Sequence, residues 1–277
     1  MKVVSEVRSH GGRQLVLTHD SAATATGMTF SLFLPPQAEQ GRVPLVTYLS
    51  GLTCTHANVT AKGEYRAACA AHGLAFLAPD TSPRGEGVAD EEGWDIGLGA
   101  GFYVDATEAP WSSHYRMWSY VTEELPALVA TEFAELDMDR QAITGHSMGG
   151  HGALTVALRH PGRFRSCSAF APIVAPTRVP WGQKAFDRYF GGDPDLSRRH
   201  DAVALIGDGA RVDHLLVDVG GSDPFLDKEL RPELLVEACE QSGIPATVRV
   251  QKGYDHSYFF VSSFLGEHLA WHAAHLG

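Results

Sequence analysis

Cysteine is scarce in this chain. Cys54, Cys69, Cys167 and Cys239 are the only four in 277 residues, too few for a disulfide scaffold, and none stands at CxxC or zinc-site spacing. They read as reduced thiols of a cytosolic protein. Long apolar runs are also missing: nowhere do about 18 apolar residues stand together, which excludes a transmembrane helix. The start, Met1-Lys2-Val3-Val4-Ser5-Glu6, lacks the apolar stretch of a secretory signal. Positive charge is in deficit, with 22 Lys and Arg against 33 Asp and Glu, a net charge of −11. Such a body repels phosphate backbones, which excludes nucleic acid and anionic membranes as main partners. There is no internal repeat, low-complexity tract or interdomain linker, so the chain reads as a single domain over residues 1–277.

Hydrophobic residues make up 44% and charged residues 20%, the balance of a globular protein with a large core. Short apolar runs at Gln14–Thr18, Met28–Leu34, Leu45–Leu49, Leu74–Ala78, Gln141–Thr144, Ser166–Phe170, Leu215–Val219 and Ala246–Gln251 read as strands. Between them, Lys62–His72, Tyr115–Ala130, Gly150–Arg159, Leu230–Gln241 and Tyr258–His275 carry helical patterns. Alternation of this kind predicts an α/β fold, a mostly parallel central sheet with helices on both faces. Two stretches lack periodicity, 80–113 and 172–199, and read as covering insertions. Both follow strands, where open α/β sheets place their ligand crevice.

Gly145-His146-Ser147-Met148-Gly149 matches G-x-S-x-G. Composition alone would produce such a pentapeptide about 0.2 times per chain, so the match means little without context. The context is a short strand before it and an Ala/Leu helix after it, the setting of a nucleophile elbow. A serine hydroxyl needs a base to take its proton. His256, in Gly253-Tyr254-Asp255-His256-Ser257, stands between the last strand and the last helix, as the chain order Ser, Asp, His requires. The acid lies between them. Asp223 follows a Gly220-Gly221-Ser222 turn and is the preferred partner; Asp218 is the rival, but it sits inside a predicted strand and would point into the packing. For the oxyanion, one donor is the Met148 N–H. The second comes from the loop Ser50-Gly51-Leu52-Thr53, with Leu52 preferred and Gly51 the alternative.

At these residues the chain resembles the S-formylglutathione hydrolase (esterase D) family of α/β-hydrolases. The resemblance is carried by Leu49-Ser50-Gly51-Leu52-Thr53-Cys54-Thr55, by Ala78-Pro79-Asp80-Thr81-Ser82-Pro83-Arg84-Gly85 and by Gly101-Phe102-Tyr103-Val104-Asp105-Ala106-Thr107. It continues through 145–153, Val179-Pro180-Trp181-Gly182-Gln183-Lys184-Ala185-Phe186 and 253–258, so it spans the chain from about residue 10. It implies a cytoplasmic serine hydrolase that cleaves S-formylglutathione to glutathione and formate, with side activity on short acyl esters. It also implies a homodimer and no metal or organic cofactor. The family's triad maps onto Ser147, Asp223 and His256, and its oxyanion donors onto Leu52 and Met148. Two stretches depart from the family pattern: His56-Ala57-Asn58 after Cys54-Thr55, and Gly220-Gly221-Ser222 before Asp223. Neither touches the triad, and both bear on substrate preference. A general short-chain carboxylesterase, another acyl thioesterase and an acyltransferase share the same machinery. A binding module on this fold would be expected to have lost triad residues.

Other residues have a structural and a functional reading. Cys54 is either a small buried hydrophobe or a thiol beside the oxyanion loop that modulates the pocket. Trp181 either packs the second insertion or lines the crevice. Lys62, Arg66 and Lys184 read as surface charge, with glutathione carboxylates the alternative. His268, His272 and His275 share one helical face, but no carboxylate or thiol joins them as a metal site. His146 and His151 read as local packing.

Overall fold

The computed structural model describes all residues, Met1–Gly277. A nine-stranded sheet runs through its centre in the order β1-β2-β3-β5-β4-β6-β7-β8-β9. The strands β1 (Lys2–Ser9), β2 (Gly12–Ser21) and β3 (Thr26–Leu34) form an antiparallel meander, and β3 pairs antiparallel with β5 (Ala75–Pro79). From β5 onward the sheet is parallel, through β4 (Val43–Leu49), β6 (Leu136–Gly145), β7 (Phe164–Phe170), β8 (Leu215–Gly220) and β9 (Ala246–Gln251). The strand order reverses direction at β4, and a crevice is expected outside the carboxyl ends on either side of that point. Leu49, the last residue of β4, lies beside Gly145, the last of β6. The loops that follow these two strands therefore start side by side.

Helices cover both faces. On one, α1 (His56–Lys62) and α2 (Arg66–His72) pack with the C-terminal α10 (Tyr258–Leu276). The helical stretch 117–132 comprises α3 (Met117–Ser119), a π-turn (Tyr120–Glu124) and α4 (Leu125–Glu132). The other face carries α5 (Met148–Arg159) with α8 (Ala202–Gly207) and α9 (Pro232–Ser242). Between α5 and α8 come α6 (Pro180–Phe190) and α7 (Pro194–Arg198).

The observed elements differ from the sequence reading in four informative places. β1 is an additional strand, exposed along nearly its whole length, so it lacks the apolar alternation by which strands are found. The helix expected over Lys62–His72 is two helices. A Thr55/Asn58 capping box starts the first at His56, and Gly63 with left-handed Glu64 (φ 53°) breaks the chain before Arg66. The π-turn before α4 comes just ahead of Pro126, which has no N–H to give; the Thr122 carbonyl accepts instead from Arg163 at 2.7 Å. The insertion 172–199 is largely helical rather than irregular, with α6 ended by left-handed Gly191 and α7 capped by the Asp193 carboxylate.

One hydrophobic cluster of 73 buried residues includes aromatics of both insertions, Phe102, Tyr103, Trp111, Trp181, Phe186 and Tyr189. The Tyr189 hydroxyl, from α6, accepts from Gly97 N–H at 3.2 Å and donates to the Ala100 carbonyl at 2.8 Å. Lys184 to Asp95 (2.6 Å) and Arg188 to Glu91 (2.9 Å) join the same two segments. The stretch 80–113 is thus fastened against α6 over the carboxyl ends of the strands. No helix is long and apolar enough to cross a membrane.

Candidate active site

Ser147 follows β6 and immediately precedes α5, with φ 58° and ψ −119°, a conformation costly for any residue but glycine. Its side chain does not cap α5, so the hydroxyl remains available. The turn is possible because its neighbours have no bulk. A Cβ on Gly149 would stand 1.9 Å from the Leu49 carbonyl oxygen, and one on Gly145 would stand 2.2 Å from that of Gly149. Strand, elbow and helix pass too close here for any side chain.

His256 stands in the loop between β9 and α10. Its Nδ1–H donates to Asp223 Oδ2 at 2.5 Å, which leaves Nε2 as the acceptor. The Asp223 side chain is wholly buried, and its Oδ1 accepts from the Phe225 N–H at 2.8 Å. The loops that carry Asp223 and His256 are joined by Ser222 N–H to the Tyr254 carbonyl (2.8 Å) and Gly221 N–H to the Gln251 carbonyl (2.9 Å). Asp218, the rival acid, lies elsewhere. It is buried in β8, bound through both oxygens to Arg249 at 2.6 and 2.7 Å and placed 3.4 Å from His268.

Ser147 and His256 open on one cavity of about 190 Å³, together with Gly51, Leu52, Thr53, Cys54, Trp94, His146, Trp181 and Phe225. That is smaller than the roughly 300–1,000 Å³ of pockets for drug-sized ligands, and it suits a small group. The amides of Leu52 and Met148 have no backbone partner, although buried amides are nearly always bonded. Two free donors, one next to Ser147 in the chain and one in the wall of its cavity, match what a developing oxyanion would require. The Gly51 amide is likewise unpartnered, so the alternative donor stays open.

The loop after β4 is held from outside. The Tyr103 hydroxyl donates to the Ser50 carbonyl at 2.8 Å, Thr53 N–H to the Gly99 carbonyl at 2.9 Å, and Arg84 and the Thr81 hydroxyl donate to the Cys54 carbonyl. Arg84 is itself anchored on Asp80 at 3.0 Å. The unusual segments around Asp80 and Tyr103 therefore act by fixing this loop.

An arc of aromatic rings roofs the cavity. Trp94 meets Trp181 edge-on at 5.2 Å between centroids, Trp181 meets Phe225 at 4.7 Å, and Phe225 meets His256 edge-on at 5.0 Å. Trp181 thus both packs its insertion and lines the cavity. Trp94 and Phe225 were visible in the sequence only as an aromatic of a long loop and a neighbour of Asp223. His146 differs from its expected role as local packing. It lines the cavity, its ring lies 4.6 Å from that of His256, and both its nitrogens lack partners. Burial, then the neighbouring His256, hold it well below the ordinary histidine value, which favours its neutral form.

The remaining candidates lie outside the cavity. Lys184 pairs with Asp95, Arg66 donates to the Thr60 carbonyl and lies over the Tyr65 ring, and Lys62 is exposed. His268 and His272 are buried and bonded to Ser168 and Ser166, and His275 bonds the Trp271 carbonyl. His151 bonds the Phe102 carbonyl. All four cysteines are buried and unpaired; of them only Cys54 lines the cavity, and burial pushes its thiol above the usual value.

A family model described as "Putative esterase" matches residues 21–272. The chain is 55% identical, over its full length and 98% of the relative, to an S-formylglutathione hydrolase of Paracoccus denitrificans. It is 48% identical to one from Mus musculus, over its full length and 99% of the relative. Among solved structures, an S-formylglutathione hydrolase from Agrobacterium tumefaciens superposes with a TM-score of 0.98 at 54% identity, covering 100% of both chains.

Proposed function

This chain belongs to the esterase family that includes the S-formylglutathione hydrolases, and we infer from that membership and from the cavity that Ser147, His256 and Asp223 are its nucleophile, base and acid. It is a serine hydrolase that cleaves the thioester S-formylglutathione to glutathione and formate, a step in formaldehyde removal. The observation that carries the residue roles is the Asp223–His256 contact of 2.5 Å opening on the same small cavity as Ser147 in its strained turn.

The Ser147 hydroxyl oxygen attacks the thioester carbonyl while His256 Nε2 takes its proton. Asp223 holds the ring in the required tautomer and stabilises its cationic form. The Leu52 and Met148 amides receive the oxyanion, each worth roughly 3–4 kcal/mol of barrier. The C–S bond breaks, and the departing glutathione thiolate takes the proton from His256. Water then gives a proton to His256 and attacks the formyl ester. Formate leaves as Ser147 regains its proton. Each step is served by side chains and amides of this chain.

Cys54 and Trp181 are pocket residues in this reading, and residues 1–277 are one domain with covering insertions. Short acyl esters are side substrates, in keeping with the size of the cavity. A cytoplasmic homodimer belongs to the same reading; the buried free thiols suit a reducing compartment, and the dimer rests on the family resemblance. The test compares kcat/KM on S-formylglutathione and p-nitrophenyl acetate, with and without Ser147→Ala. A large preference for the thioester and a dead variant are expected. Equal rates on both substrates would redirect the reading to a short-chain carboxylesterase, and activity retained in the variant would overturn the nucleophile.

A further inference from the structure

Glu229 has a carboxylate that the mechanism does not use. It is buried, at 3% exposure, within the π-turn Leu226–Leu230 that follows Asp223, Pro224 and Phe225. Its Oε2 accepts from the Trp181 N–H at 2.9 Å, across 48 positions of sequence. That amide stands in the first turn of α6, where helices have orphan donors. The residue that should cap it is Val179, whose side chain has no acceptor, so α6 has no side-chain cap of its own. Burial pushes the Glu229 carboxyl above its ordinary value, with the Trp181 amide pulling the other way.

We propose that Glu229 is a positioning residue for acyl specificity: it caps α6 from outside and so fixes Trp181 as the wall of the cavity. This rests on reading that cavity as the acyl site. The consequence extends beyond one ring. Trp94 leans on Trp181, and Lys184, three residues further along α6, holds Asp95 beside Trp94. Phe225, four residues before Glu229, fills the space between Trp181 and His256. One short segment thus carries the acid that orients the base and the acceptor that sets the size of the acyl pocket.

The test is the ratio of kcat/KM for p-nitrophenyl butyrate to that for p-nitrophenyl acetate. In Glu229→Ala the first turn of α6 loses its acceptor, Trp181 is released, and the ratio is expected to rise about tenfold, through a lower KM for butyrate. Glu229→Gln keeps an acceptor oxygen at the same reach and should keep the wild-type ratio. An unchanged ratio in Glu229→Ala, or an equal shift in Glu229→Gln, would overturn the proposal. Should Glu229→Ala fail to fold, Glu229→Asp decides by the same ratio, because its carboxylate is one methylene too short. Labelling of Ser147 by a small fluorophosphonate is followed in parallel. If the wild type does not label, the assignment of the site itself fails, whereas normal labelling with an unchanged ratio rejects only the role of Glu229.

Discussion

Asp218 and Asp223 are five positions apart and serve opposite ends of the molecule's needs. The first is locked between Arg249 and His268 inside the sheet, and the second is 2.5 Å from His256 at the cavity. Their amide variants should separate cleanly. Asp223→Asn should lower kcat by about 10³–10⁴-fold and leave thermal unfolding nearly unchanged. Asp218→Asn takes the buried carboxylate from Arg249, which keeps its exposed bond to Glu267, and the loss of such charge-assisted hydrogen bonds costs about 1.5–3 kcal/mol. It should appear as a lower Tm with turnover intact in the folded fraction. The reverse pattern would exchange their roles.

Gly149→Ala is expected to cost more than about 3 kcal/mol, because the clash is with backbone rather than with a side chain that can move. Thermal denaturation and the yield of folded protein check it. A variant as stable as wild type would mean that the elbow can open.

Stability should fall with acidity well above the carboxylate range. Burial drives the fully buried His151 from 6.5 to about 4, against the pull of the Phe102 carbonyl. Between those values the unfolded chain binds a proton that the folded one refuses. The His151 contribution is therefore complete above about pH 6.5 and is lost as pH falls toward 4, by up to about 1.4 kcal/mol per pH unit. His146, His200 and His272 are lowered by burial and act in the same direction. Asp218 adds its share at lower pH: burial pushes it up, but His268 and Arg249 outweigh that and hold it below its ordinary value. Tm measured from pH 8 to 4 should slope downward, and His151→Gln should flatten part of the slope. Equal slopes in both proteins would exclude His151 as a contributor.

Cys54 should react slowly with iodoacetamide at pH 7 and faster as pH rises, because burial disfavours its thiolate. Alkylation there places bulk in a cavity of about 190 Å³ and should extinguish ester hydrolysis. Mass spectrometry gives the modified site. Full modification of Cys54 with turnover intact would place the thiol clear of the acyl group.

The parts of the site that sequence reveals are those made by local geometry. Ser147 is legible because its turn demands glycine on both sides, and His256 because it must follow the last strand. The inner strands β4 and β5 are legible because burial on both faces makes them almost continuously apolar, and the edge strand β9 because its apolar residues alternate. What stays hidden depends on distant partners. Nothing near Glu229 announces that it caps a helix 48 residues earlier, and nothing near His146 announces that its ring will lie against His256. β1 is hidden for the opposite reason, because a strand on the sheet edge with both faces exposed has no pattern to show. The helices of 172–199 are short and bounded by Gly191 and Asp193, signals that Gly- and Pro-rich composition masks.

Leu49 and Gly145 occupy one rung of the parallel ladder, so the loop Ser50-Gly51-Leu52-Thr53 and the Ser147 turn start from adjacent strand ends, about 4.8 Å apart. The gap between them is then gauged by the sheet, the stiffest part of the molecule, rather than by the loops. The roof is a separate assembly, built from Trp94, Trp181 and Phe225 on the insertions and the acid loop. Sheet and cover are tied at one place, because the insertion that carries Trp94 also holds the loop after β4 through Gly99, Arg84 and Tyr103. A recast pocket is therefore expected to tolerate new rings at Trp94, Trp181 and Phe225 only where those ties to the loop after β4 are kept.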